Sequence, residues 1–135
     1  MKVTVSRKAH FNAAHRLYRK DWSDEKNQTI FGKCSNPHFH GHNYELVVHV
    51  TGIINPDTGY VIDMKILKDL IKEEVEEKMD HKNLNEEVPE FYDKIPTAEN
   101  MVIVIYEALK PHMNPEHELA VTLYETPRNF VSYSG

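Results

Sequence analysis

The chain has 135 residues, enough for one domain with its own core and too few for two ordinary ones. A net charge of −5 with neutral histidine argues against a nucleic-acid surface, and no apolar run reaches the ~18–20 residues that a membrane helix needs. A single cysteine, Cys34, excludes an internal disulfide. The segment Met1–Lys8 lacks the apolar core of a secretory signal, so a cytoplasmic location is the expectation.

Residues 2–13 predict a first strand, with Val3, Val5, Ala9, Phe11 and Ala13 at a period of two. Residues 16–39, rich in Asp, Asn, Lys and Ser, predict a long irregular excursion of the kind that usually carries function or is disordered. Residues 40–52 alternate again, with Tyr44, Leu46, Val48 and Val50 on one face. The run Asn55-Pro56-Asp57-Thr58-Gly59 reads as a turn, after which Tyr60–Ile62 is expected to return as the partner strand of a hairpin. Asp63 is a candidate N-cap for a helix whose Ile66, Leu67, Leu70, Ile71, Val75 and Met79 form an apolar stripe for core packing. Pro89 and Pro96 mark a loop leading to Thr97, a second candidate N-cap. The helix it opens carries Met101, Val102, Val104, Ile105, Ala108 and Leu109, and Pro111–Pro115 ends it. Strands at Leu119–Glu125 and Phe130–Tyr133 close the chain. The order β–β–β–α–α–β–β over one domain, 1–135, indicates an α+β fold with an antiparallel sheet and its helices on one face. The edges of so small a sheet need cover, which oligomerisation supplies.

Nine histidines is a high count, and several share the first third of the chain with Cys34. His40-Gly41-His42 places two imidazoles two residues apart, so on a strand both continue the inward face of Tyr44 and Leu46. His15 keeps the parity of Phe11 and Ala13 at the end of the other inward face. Three imidazoles with a position left open are the ligand set of a catalytic zinc ion. His-x-His alone is a weak signal, and His10 and His38 compete as third ligands. Parity disfavours His10 and does not exclude His38.

Cys34, six residues before His40, has three readings. It is a small buried residue, a fourth zinc ligand in a closed structural site, or a thiol made acidic enough for general-base work. Asp80-His81, at the end of the first long helix, is either a helix end finished by a histidine or a second acid–base pair. Glu125 shares the parity of Leu119, Val121 and Leu123, so it is expected to be buried. A buried carboxylate needs donors from the protein or from a ligand with adjacent N–H groups.

Six segments in order complete a pattern: Phe11-Asn12-Ala13-Ala14-His15-Arg16-Leu17, Phe31-Gly32-Lys33-Cys34, His40-Gly41-His42-Asn43-Tyr44, Asp80-His81-Lys82-Asn83-Leu84, Pro96-Thr97-Ala98-Glu99-Asn100 and Tyr124-Glu125-Thr126. With these the chain resembles, nearly end to end, the 6-pyruvoyl-tetrahydropterin synthase family, which includes the 6-carboxy-tetrahydropterin synthases of queuosine biosynthesis. The resemblance implies the T-fold: a four-stranded antiparallel sheet with two helices on one face, the sheets closing into a barrel on trimerisation and two trimers stacking as a homohexamer. It implies one zinc ion (Zn2+) per subunit on His15, His40 and His42. It implies a catalytic set of Cys34, Asp80 and His81 assembled from neighbouring subunits. By the same resemblance Glu125 anchors the pterin, with Thr97 and Glu99 supporting it. The implied reaction converts 7,8-dihydroneopterin triphosphate to 6-pyruvoyl-tetrahydropterin with loss of triphosphate, a lyase reaction on the route to tetrahydrobiopterin. The 6-carboxy product is the alternative. The five residues between Cys34 and His40 resemble the pyruvoyl type, whereas Pro96–Asn100 looks like the bacterial relatives. Room is left for Mg2+ beside the triphosphate, with Arg16 and Lys33 as candidate holders. No nicotinamide is expected, since no Gly-rich dinucleotide fingerprint is present. Rival readings are a non-catalytic zinc- or pterin-binding module and a zinc hydrolase.

Overall fold

The structure, a computed structural model, describes residues 1–135. Two long strands, β1 (Lys2–His15) and β2 (His40–Ile53), pair antiparallel along their whole length, from Lys2 against Ile53 to His15 against His40. β2 also pairs with β4 (Glu118–Tyr124), and β4 with β5 (Phe130–Tyr133). These four strands form the expected antiparallel sheet. The sheet has a fifth member that periodicity did not reveal: β3 (Lys82–Asn83) runs parallel to Ala13–Ala14, giving the order β3-β1-β2-β4-β5. Two residues are too few to show any alternation.

The expected hairpin return at Tyr60–Ile62 does not form. Both edges of β2 are already taken, by β1 and β4, so no ladder remains for a third partner. Val61 and Ile62 pack against the core instead, and Asn55 N donates to Tyr60 O at 2.8 Å to close the turn.

The excursion at 16–39 also differs from expectation. It contains helix α1 (Asp24–Phe31), followed by a tight 3₁₀ turn over Gly32–Ser35. Ser23 caps α1, its Oγ accepting from Lys26 N, and Asp24 and Glu25 favour the positive end of the helix dipole. The capping signal was present, but the helix carries no apolar stripe that periodicity could find.

Asp63 caps α2 (Met64–Ile71), accepting from Lys65 N at 2.9 Å. A single wide turn, Lys72–Glu76, joins α2 to α3 (Glu77–Met79). The short α4 (Leu84–Glu87) follows β3. Thr97 caps α5 (Ala98–Leu109), accepting from Asn100 N at 3.2 Å. Leu67, Ile71, Val75 and Met79 from one rod, and Met101, Ile105 and Leu109 from α5, bury themselves against Phe11, Tyr44, Leu46, Val48, Val121 and Leu123 of the sheet.

The opposite sheet face is polar. Ser6, His49, Thr122 and Ser132 form a hydrogen-bonded row across four strands. The sheet is open: along Lys2–Asn12 the outer edge of β1 has no partner strand. No helix is long and apolar enough to cross a membrane.

Candidate metal centre and active site

His15 is the last residue of β1, and His40 and His42 open β2 directly opposite. Phe11 stacks on Tyr44 at a centroid distance of 5.0 Å, and this aromatic floor ends against the imidazoles of His15 and His42. Each imidazole offers a ring nitrogen, and the three nitrogens lie within 4.8 Å of one another. His15 Nε2, His40 Nδ1 and His42 Nε2 are buried with no hydrogen-bond partner.

Each buried, unpaired nitrogen costs about 1–3 kcal/mol, and a cation bound to it removes that cost. Donors about 2.05 Å from a tetrahedral zinc stand about 3.4 Å apart, within the observed limit. The surrounding groups also prepare the lone pairs. His15 Nδ1 lies 2.8 Å from the Pro96 carbonyl, an acceptor only, which places the ring proton on Nδ1 and leaves Nε2 free to ligate. Burial pushes the His15 imidazole down to about 4, against the opposing Pro96 contact and with help from His40 and His42. Burial, then His42, likewise lowers His40, while Glu125 pulls the other way. Burial and Glu125 raise the Tyr44 phenol, so it stays a neutral wall. His15 and His40 are therefore unprotonated at neutral pH, as metal ligands must be.

Cys34 stands outside the converging set, so sulfur does not complete the shell. It is partly exposed and lines a cleft of about 760 Å³ with Gln28, Lys33, His38, His40 and His42. Leu17 N holds the Cys34 carbonyl at 2.8 Å. Of the two basic residues singled out for the triphosphate, Lys33 is exposed on this cleft. Arg16 is engaged elsewhere: Nε donates to Ser35 O at 2.7 Å and the guanidinium lies 3.8 Å over the Tyr18 ring.

Glu125, Thr97 and Glu99 come together. They line one recess of about 550 Å³ with Leu17, Phe31 and Arg128. Glu125 follows the end of β4 and is 25% exposed rather than fully buried, because the last sheet pairing is at Tyr124. Its Oε1 is 3.9 Å from His42 Nε2, so the carboxylate borders the metal centre.

Asp80 and His81 lie elsewhere. Asp80 Oδ1 accepts from Asn12 N at 2.9 Å and Oδ2 is 3.0 Å from His81 Nδ1. The Asn12 N–H, then His81, hold the Asp80 carboxyl below its ordinary range. His81 adopts a left-handed backbone (φ +60), and its side chain is 77% exposed. It borders a shallow concavity with Asn12, Ala14, Gly41 and Asn43, on the strand face opposite to the three ligands. Cys34 and His81 thus line different depressions that share only His42.

Sequence reasoning missed the Pro96 carbonyl and the Asn12 N–H. Backbone groups leave no residue-type signal.

Comparison with known proteins adds a second line of observation. Residues 4–135 match the family model described as 6-pyruvoyl tetrahydropterin synthase. A 6-pyruvoyl tetrahydrobiopterin synthase of Pongo abelii is 47% identical over 131 residues, 97% of this chain and 90% of that protein. A 6-carboxy-5,6,7,8-tetrahydropterin synthase of Rickettsia bellii is 26% identical over 147 residues, covering 96% and 98%. The solved 6-pyruvoyl tetrahydropterin synthase of Caenorhabditis elegans superposes with a TM-score of 0.93 at 39% identity, covering 100% of this chain and 96% of that one.

Proposed function

The chain belongs to the 6-pyruvoyl tetrahydropterin synthase family, and from that premise we propose that it is a zinc-dependent lyase acting on 7,8-dihydroneopterin triphosphate. In this reading His15, His40 and His42 hold one zinc ion, and the single observation that carries it is the convergence of one ring nitrogen from each. When bound, the ion would polarise the side-chain hydroxyls of the substrate and acidify the neighbouring C–H bonds.

The chain's own residues do the rest. Glu125 accepts the two parallel N–H groups of the pterin edge, with Thr97 and Glu99 lining the same recess. The substrate side chain then lies along the cleft toward His42 and Cys34. Cys34, as thiolate, removes a proton from carbon, and Asp80–His81 moves a second between carbon and oxygen. Protons taken from the side chain are returned to the ring, so the ring is reduced as the side chain is oxidised, and triphosphate leaves by elimination. No nicotinamide is called for, and Mg2+ would at most accompany the triphosphate.

Since His81, which Asp80 contacts, lines a different depression from Cys34, a neighbouring copy would complete the catalytic set. The unpaired β1 edge and the short β5 are the natural seams for a trimeric barrel, and a pair of trimers gives the homohexamer. The whole chain, 1–135, then acts as one domain of a cytoplasmic enzyme without membrane or nucleic-acid partners. The pyruvoyl product is favoured by the 47% identity to an enzyme named for it, against 26% to one named for the carboxy product.

Incubation with 7,8-dihydroneopterin triphosphate and mass analysis tests the assignment. A pyruvoyl-pterin with triphosphate is expected. Acetaldehyde with a carboxy-pterin would move the enzyme to the other branch, and unchanged substrate would refute both. A Cys34→Ala protein should keep zinc and release no triphosphate.

A further inference from the structure

We propose that Asn85 is a positioning residue for Cys34, clamping the strap that follows His15 and so setting where the thiol stands relative to the three imidazoles. The inference rests on the reading of Cys34 as the catalytic base. Asn85 lies in α4, five residues beyond Asp80. Its Oδ1 accepts from Arg16 N at 2.8 Å and its Nδ2 donates to Arg16 O at 2.9 Å. One side-chain amide therefore pairs both backbone groups of a residue, as a neighbouring strand would. It does so just where the β1–β2 ladder has stopped, at His15 against His40. Backbone groups in a half-buried place need such a partner.

The clamped strap carries the cysteine turn. Leu17 N donates to Cys34 O at 2.8 Å, and Arg16 Nε donates to Ser35 O at 2.7 Å. At the far end buried Asn27 makes the same two-way pairing with Arg19, at 2.8 and 2.9 Å. Asn27 sits on α1, which runs directly into the cysteine turn, so that clamp moves with it. Asn85 reaches the strap across 69 residues and ties it to the main body.

The imidazoles do not depend on this clamp. His15 is held by its pairing with His40 and by Pro96 O. Loosening the strap therefore leaves the ligand set in place and lets the thiol drift, and a displacement of about 1 Å costs a reaction on the order of a hundredfold.

The test compares metal-loaded wild-type, Asn85→Ala and Asn85→Asp proteins. Asn85→Asp keeps the acceptor for Arg16 N and loses the donor, so it carries the test if Asn85→Ala fails to fold. Zinc stoichiometry is expected to hold and KM to stay within about twofold, while kcat falls about 10–100-fold. Cys34 is the sole cysteine, so iodoacetamide labelling reports on it alone, and its rate should change by about threefold or more. Unchanged kcat and labelling rate in a folded, loaded variant would overturn the proposal, as would a fall in zinc stoichiometry that accounts for the lost activity. Full activity in Cys34→Ala would instead sink the reading of Cys34 as base, while the labelling rate still reports on the clamp.

Discussion

Stripped of metal, the protein should lose stability as pH falls below 7, and His15 sets much of the size. Its folded pKa is about 4 against an ordinary value of 6.5, because burial disfavours the charged ring. Between these values the unfolded chain binds a proton that the folded chain does not, so stability rises with pH through the window. The contribution is fully present above pH 6.5 and is lost on the way down to pH 4. It amounts to about 3 kcal/mol over the whole window and about 2 kcal/mol between pH 7 and 4.5. The assay is urea unfolding of chelator-treated protein at the two pH values and one protein concentration, for wild type and for His15→Gln. The wild type should lose about 2 kcal/mol more than the variant. Equal losses would show that His15 is not held neutral by its surroundings.

The other predictions concern single sites. His42→Ala should lower bound zinc and activity together, and undiminished stoichiometric zinc would contradict the ligand set. Glu125→Gln should keep its zinc and raise KM for the pterin about 10–100-fold, through loss of a charge-assisted pair; an unaltered KM would remove Glu125 from pterin binding. Gly32→Ala should destabilise by about 1–3 kcal/mol in denaturant, because Gly32 has φ +59 and ψ −133, a conformation that a Cβ opposes although there is open space around it. An unmoved unfolding midpoint would argue that the turn before Cys34 can relax.

Alternation made much of this fold legible. The inward parities of β1 and β2 end in His15, His40 and His42, and the structure brings those rings together. Asp63 and Thr97 cap helices where their side chains said they would. What escaped was structure without a period. α1 is polar along most of its length, β3 has two residues, and Tyr60–Ile62 had the composition of a strand but no free edge to join. The separation of Cys34 from His81 into different depressions was equally invisible to spacing, since it depends on which side of β1 each loop returns to. The Asn85 and Asn27 clamps are the hardest case: each asparagine sits in a short helix, and nothing local says that its amide grips another segment.

X-ray absorption at the zinc edge, on protein loaded with one equivalent, bears most directly on the metal centre. Three imidazole nitrogens near 2.0–2.1 Å with one further light atom are expected. A sulfur scatterer near 2.3 Å would make Cys34 a ligand and the site closed, and would contradict the account.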